Sequence, residues 1–128
     1  MTPNEDEIFE ALIALRRRGA DDSSVLIEEP RSGKFVQFGT GRKIIMDVPC
    51  VGLSRKEADR ASAFFRELGE DYPLEYHAPD PATGKTHHGA SFSHDFGDDA
   101  REAAKAAVLF FERVYKLSAA VDLTIEEL

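Results

Sequence analysis

Apolar and polar positions alternate most cleanly between Ser24 and Pro49, in the run SVLIEEPRSGKFVQFGTGRKIIMDVP. The run reads as three short strands joined by two tight turns, and the rest of the chain is expected to be laid around it. Pro30, Arg31, Ser32 and Gly33 place Pro and Gly where a four-residue hairpin loop wants them, between runs rich in β-branched and aromatic residues. Pairing Glu29 with Lys34 then sets Ile27 opposite Val36 and Val25 opposite Phe38. These four share a face, because strand side chains alternate with period two. A second turn spanning Gly39 to Lys43 brings Ile44, Met46 and Val48 onto the same apolar face, whereas a four-residue turn would bring Ile45 inward instead. The opposite face carries Leu26, Glu28, Phe35, Gln37, Ile45 and Asp47, which is mixed rather than polar.

On either side of this meander the apolar spacing changes to that of helices. Residues Pro3 to Arg18 are predicted as a first helix, with Thr2 as N-cap, Pro3 at the first helical position and Glu5 completing a capping box. Ile8, Phe9, Leu12, Ile13 and Leu15 form its apolar side, and Gly19 ends it. After Pro49, Ser54 and Glu57 form a second capping box, with Leu53 and Ala58 as a hydrophobic staple. Ala61, Phe64, Phe65 and Leu68 follow at helical spacing up to Gly69.

Residues Leu74 to Phe96 read as a second hairpin, with strands at Leu74 to His77 and roughly Thr86 to Phe96. Ala90, Phe92, His88 and His94 are expected on the core side of the longer strand, and His87, Gly89, Ser91, Ser93 and Asp95 on the other. Two prolines should keep the connection, Ala78 to Lys85, out of the ladder. A third helix is predicted from the Asp99 and Glu102 cap pair to about Leu117. Its broad apolar face runs through Ala103, Ala104, Ala107, Val108, Phe110, Phe111, Val114 and Leu117. The tail, Ser118 to Leu128, alternates Val121, Leu123 and Ile125 and fits an edge strand, a docked extension or a mobile end. The order α-β-β-β-α-β-β-α gives an α+β fold: an antiparallel sheet of about five strands with helices mainly on one face. The chain is read as one domain, 1–128, with a folded core at 3–117.

Composition narrows the class. With 128 residues, 42% apolar and 31% charged, the chain is an ordinary globular domain. A net charge of −8 argues against nucleic acid, whose phosphates demand clustered Lys and Arg. The basic run Arg16, Arg17, Arg18 falls at a predicted helix end, where it suits the dipole. A single cysteine, Cys50, forbids an internal disulfide and favours a reducing compartment. No apolar stretch approaches a membrane span, and the acidic N-terminal residues are unlike a signal peptide. The expectation is a soluble, cytoplasmic domain.

Candidate chemistry is sparse. His77, His87, His88 and His94 fall in one hairpin, and two or three of them, with Asp95, can be set out as divalent-metal ligands. As strand neighbours, His87 and His88 point to opposite faces, and hydrogen-bonded surface histidines explain the same pattern. Thr83-Gly84-Lys85-Thr86 resembles the end of a phosphate-binding loop, but Pro79 stands where the first glycine belongs and a strand follows instead of a helix. Cys50 precedes a helix, yet no local signature supplies a base for it, so a buried, inert thiol is expected. No G-x-S-x-G elbow is present. No cofactor and no catalytic residue are therefore assigned.

The apolar residues Leu26, Phe35 and Ile45, interleaved with Gln37, are the remaining candidate: cross-strand pairing explains them, and so does a dimer or client surface. In topology, size and acidity the order of elements over residues 3 to about 117 resembles type III secretion chaperones and the related Tir-chaperone-like and YbjN-like bacterial domains. That resemblance implies a small, acidic, non-catalytic bacterial protein, commonly a homodimer, that holds extended segments of partner proteins. The histidine-bearing hairpin and the tail depart from the pattern. The expected function is a protein-binding module, chaperone-like or regulatory, with Leu26, Phe35, Gln37 and Ile45 contacting a protein partner. The alternatives are a metal-binding protein or metal-dependent enzyme using the four histidines, and an immunity or antitoxin-like inhibitor of a basic partner.

Overall fold

The structure, a computed structural model, describes residues 3–18, 23–40, 43–70, 74–79, 86–118 and 120–127, and for 3, 18, 40, 52, 74–79 and 86–90 the backbone alone. Helix α1 (Pro3–Arg18) leads into strands β1 (Ser24–Glu29), β2 (Lys34–Thr40) and β3 (Ile44–Pro49). A 3-10 turn at Cys50–Gly52 precedes helix α2 (Arg55–Glu67). Strands β4 (Leu74–Pro79) and β5 (Thr86–Asp95), helix α3 (Ala100–Arg113) and strand β6 (Thr124–Glu127) complete the chain. The α+β class and the element order are those read from the sequence, and one strand is added at the C-terminal side.

All pairings are antiparallel, and the sheet order is β4-β5-β3-β2-β1-β6. The first hairpin has the expected register, Glu29↔Lys34, Ile27↔Val36 and Val25↔Phe38. Gly33 takes a φ of 73°, and its N–H donates to the Glu29 carbonyl at 2.9 Å. The backbone N–H groups of Arg31 and Ser32 donate to the Glu29 carboxylate, at 2.6 and 3.1 Å, and the Arg31 amide foremost holds that carboxyl below the usual glutamate range.

The second turn is shorter than expected. The ladder continues through Gly39↔Ile45 to Thr40↔Ile44, so Gly39 and Thr40 belong to β2 and Phe38 lies opposite Met46. The face assignment survives, because shortening the five-residue turn to three moves the register by two and keeps every side chain on its own side. Val25, Ile27, Val36, Phe38, Ile44, Met46 and Val48 are all buried, and Ile45 points outward.

All three helices cover that one face. Ile8, Leu12 and Leu15 of α1, Ala61, Phe64 and Phe65 of α2, and Ala103, Ala104, Ala107, Phe110 and Phe111 of α3 join the buried strand residues in one core with Phe92. At its centre the rings of Phe65 and Phe92 stack at 5.3 Å, with Phe64 and Phe110 edge-on to Phe65. Helix α2 starts on the expected Ser54–Glu57 capping box. It stops on Gly69 (φ 98°), where the Glu70 and Gly69 amides donate to the Phe65 and Arg66 carbonyls, the paired bonds of a Schellman motif. Asp99 caps α3 by accepting from the Glu102 amide at 3.0 Å.

Two boundaries differ from expectation, and the tail takes the edge-strand form among the three it was open to. Helix α3 ends at Arg113 rather than Leu117. Tyr115 turns inward, its hydroxyl donating to the Phe35 carbonyl at 2.6 Å, and Lys116 adopts a φ of 60°. The Val114 carbonyl freed by this ending accepts from Arg60 Nε at 2.8 Å. The first strand of the second hairpin runs on to Pro79, which pairs with Thr86 instead of standing outside the ladder; β4 is an edge strand, where a missing N–H is tolerated. The tail is neither loose nor merely docked, since Thr124–Glu127 pairs with β1 through Ile27↔Ile125 and Val25↔Glu127. Asn4 Nδ2 donates to the Val121 carbonyl at 2.7 Å and fixes the approach to that strand. The expected caps at Thr2 and Gly19 lie outside the described residues.

Candidate functional site

The face of the sheet turned away from the helices gathers the residues singled out by sequence. Leu26, Phe35 and Gln37 are half-buried there, and Ile45 is 37% exposed. The registers place them relative to one another. Leu26 lies opposite Gln37, and Gln37 opposite Asp47, to which its Nε2 donates at 2.9 Å. Phe35 lies opposite Glu28, two residues to one side of this row. Ile45 lies opposite Gly39, two residues to the other side. Leu26 and Phe35 are thus diagonal neighbours, and the Gln37–Asp47 pair stands between them and Ile45.

Sequence reasoning had not joined the second hairpin to this face. Strand β5 pairs with β3 as Asp47↔Ser93, Ile45↔Asp95 and Pro49↔Ser91, so the alternate positions Ser91, Ser93 and Asp95 extend the surface. On the far side, Glu126 of β6 lies opposite Leu26. The alternation of Thr86–Asp95 was legible, but nothing local says which strand it lies beside. Among the described side chains the face carries Glu28, Asp47, Asp95 and Glu126 and no Lys or Arg. The bordering Lys43 pairs with Asp95 at 3.6 Å.

The register divides the four histidines. His77 and His88 are direct partners across β4 and β5. His87 is one residue away and so on the opposite face. His94 lies opposite Met46, six residues, or about 20 Å, along β5 from His88. Its Nδ1 is 3.1 Å from Glu70 Oε1, and its ring meets Phe96 edge-on at 4.7 Å. No group of three or more potential ligands occurs among the described residues. The Thr83–Lys85 part of the phosphate-loop likeness lies outside them, and Thr86 opens a strand.

Cys50 is half-buried rather than fully buried. Burial, with the Asp47 charge second, pushes its thiol above the ordinary range, which keeps it protonated and a poor nucleophile.

One polar cluster was missed. Lys34 reaches Glu57, which is 5% exposed, and its ammonium lies 5.2 Å from the centroid of the buried Tyr115 ring. Glu57 Oε1 also accepts from the Ser54 amide at 2.9 Å. Burial opposes the charge on Glu57, but the Lys34 and Ser54 hydrogen bonds win and hold its carboxyl below the usual range. Burial, and next the Glu57 charge, pushes the Tyr115 hydroxyl up, so it remains a donor. The cluster ties β2, α2 and the end of α3 together behind Phe35, and every member is hydrogen-bonded within the fold. That makes it a brace for the sheet rather than a reactive centre. Of its signals, the sequence offered only the Glu57 cap.

No helix among the described residues is long and apolar enough to cross a membrane. No protein-family model, curated protein or solved structure matches the chain.

Proposed function

We propose that the chain is a non-catalytic protein-binding module, chaperone-like or regulatory, that holds a partner on the open face of its sheet. The observation that supports this reading is the placement of Leu26, Phe35 and Ile45 on the one face that no described helix covers. An antiparallel sheet with a solvated face ordinarily alternates apolar-in and polar-out, and here the outward positions of three adjacent strands each hold a large apolar side chain. The partner is a client protein; a second copy of the chain is the competing occupant, as expected for a homodimer.

Phe35→Thr and Ile45→Thr remove apolar surface without adding charge and keep a residue that suits strands. Each is expected to leave the circular dichroism spectrum and melting profile of the protein nearly unchanged. Each should weaken capture of the protein partner, identified by mass spectrometry of material co-purified from native lysate, by about tenfold, the equivalent of about 1.4 kcal/mol of lost apolar contact. Undiminished capture by both variants would refute the assignment of the face.

The pairing of His77 with His88 favours one second reading, metal binding at the second hairpin. Two cross-strand histidines supply half of a tetrahedral zinc site. Elemental analysis of untagged protein decides it: stoichiometric zinc, iron or nickel, lost in His77→Ala, supports this reading, and metal below a tenth of an equivalent removes it.

A further inference from the structure

The chemistry of the open face selects its occupant. We infer that the face takes an amphipathic, basic helix of the partner protein, rather than an extended segment or a second copy of this chain. The inference rests on the reading that this face is a docking surface and adds what docks there.

Charge comes first. The described side chains of the face include carboxylates from β1, β3, β5 and β6, namely Glu28, Asp47, Asp95 and Glu126; the bordering Lys43 meets Asp95, and among the described residues no cation pairs with the other three. On the helical side, carboxylates are matched by cations: Asp6 by Arg101, Glu67 by Arg113 and Asp98 by Arg16. The open face is therefore predominantly acidic, where the helical side is mixed. A second copy docked by two-fold symmetry would set this acidic surface against itself, which like-charge repulsion opposes. A partner carrying Lys and Arg gains at the same positions.

Backbone hydrogen bonding comes second. A segment lying flat on a sheet face cannot pair its N–H and C=O groups with the sheet, whose own groups are engaged in their ladders. An extended segment would bury those groups unsatisfied, and its natural place is a sheet edge. A helix satisfies them internally and is the usual cover for a sheet. The apolar geometry fits one. Phe35 and Ile45 are two rows and one strand apart, about 14 Å on strand spacings. That lies between the same-face spacings of a helix, about 10.5 Å at i, i+7 and about 16 Å at i, i+11, so the ends of two apolar side chains on one stripe reach both, with Leu26 to the side.

Two synthetic 18-residue helices of Leu and Ala on one stripe test this, one with Lys on the polar face and the other with Glu. Binding is followed by fluorescence anisotropy, and helix gain by circular dichroism. The Lys peptide is expected to bind and become more helical. Affinity should fall about tenfold or more with Glu28→Gln/Asp47→Asn/Glu126→Gln, and less than about twofold with the control Glu7→Gln/Glu10→Gln/Asp59→Asn, which removes equal charge from exposed positions of α1 and α2. Raising salt from about 50 to 300 mM should weaken it further. Equal loss in the control triple, binding of the Glu peptide, or binding without helix gain overturns the inference while leaving a docking face. Failure of both peptides, with a dimer in light scattering that Phe35→Thr dissociates, makes a second copy the occupant. Failure of both peptides with a monomer insensitive to Phe35→Thr, and no partner lost by that variant, overturns the docking reading as well.

Discussion

Phe65→Ala is expected to destabilise the fold by about 3–5 kcal/mol, the largest effect of any single truncation proposed here. Phe65 is 1% exposed and sits where α2 meets β5, stacked on Phe92 and edge-on to Phe64 and Phe110. Removing the ring opens a cavity that three further aromatic rings border, and rigid rings collapse poorly into empty space. A domain of this size commonly has about 5–15 kcal/mol to lose, so the variant should melt roughly 10–20 °C below the parent. Phe65→Leu should recover about half of the loss. Urea unfolding measures both. A deficit under about 1.5 kcal/mol for the alanine variant would show that the site closes up and that the aromatic cluster is not the centre of the core.

Glu57→Ala should cost about 2–3 kcal/mol, through a different route. It removes the reciprocal half of the Ser54 cap and leaves Lys34 without its carboxylate beside Tyr115. The cost stays below that of a fully buried broken pair because the Lys34 side chain is 32% exposed and can turn to water. Lys34→Met combined with Glu57→Leu should be closer to the parent than Glu57→Ala alone, since no charge is then left unmatched. The same carboxylate, with Glu29, sets the acid response. Both have folded-state pKa values below their unfolded ones. Their contribution is therefore complete above the ordinary glutamate range, near pH 4.3, and is lost as pH falls through the folded values. Glu57→Gln should flatten the stability profile below about pH 4.5. An unchanged acid limb would mean that Glu57 is not held ionised by Lys34 and Ser54.

What was legible in the sequence was whatever depends on neighbours along the chain. The Ser54–Glu57 box and Gly69 mark α2 because capping is local chemistry, and alternation sorted Val25, Ile27, Val36 and Phe38 from Leu26, Phe35 and Gln37. Parity protected the third strand too: the second turn was read two residues too long, and Ile45 still fell on the correct face. Pairings between distant segments were not legible. No local signal tells β5 to lie beside β3, or Thr124–Glu127 to lie beside β1, since many strands of similar pattern satisfy either edge. The end of α3 misled for a related reason. The apolar spacing continues past Arg113, but it serves Tyr115 on its way to the Phe35 carbonyl, about eighty residues earlier. The candidate face was half visible, its residues named and its acidic extension through Asp95 and Glu126 unseen.

The strand β6 has a consequence for how the molecule is made. Its ladder joins residues roughly a hundred positions apart, the most distant pairing in the sheet, whereas the β1–β2 hairpin closes over a four-residue loop. Loop-closure entropy and contact order both place such a pairing late in folding. During synthesis from the N-terminus, β1 therefore emerges, pairs with β2 and waits with its outer N–H and C=O groups bare until residues 124–127 leave the ribosome. An unpaired edge running through Val25, Leu26 and Ile27 is a template for another nascent chain. The nascent protein is thus most exposed to misassembly in the interval just before β6 is translated, and slowing translation near residue 120 should lengthen that interval and lower the soluble yield.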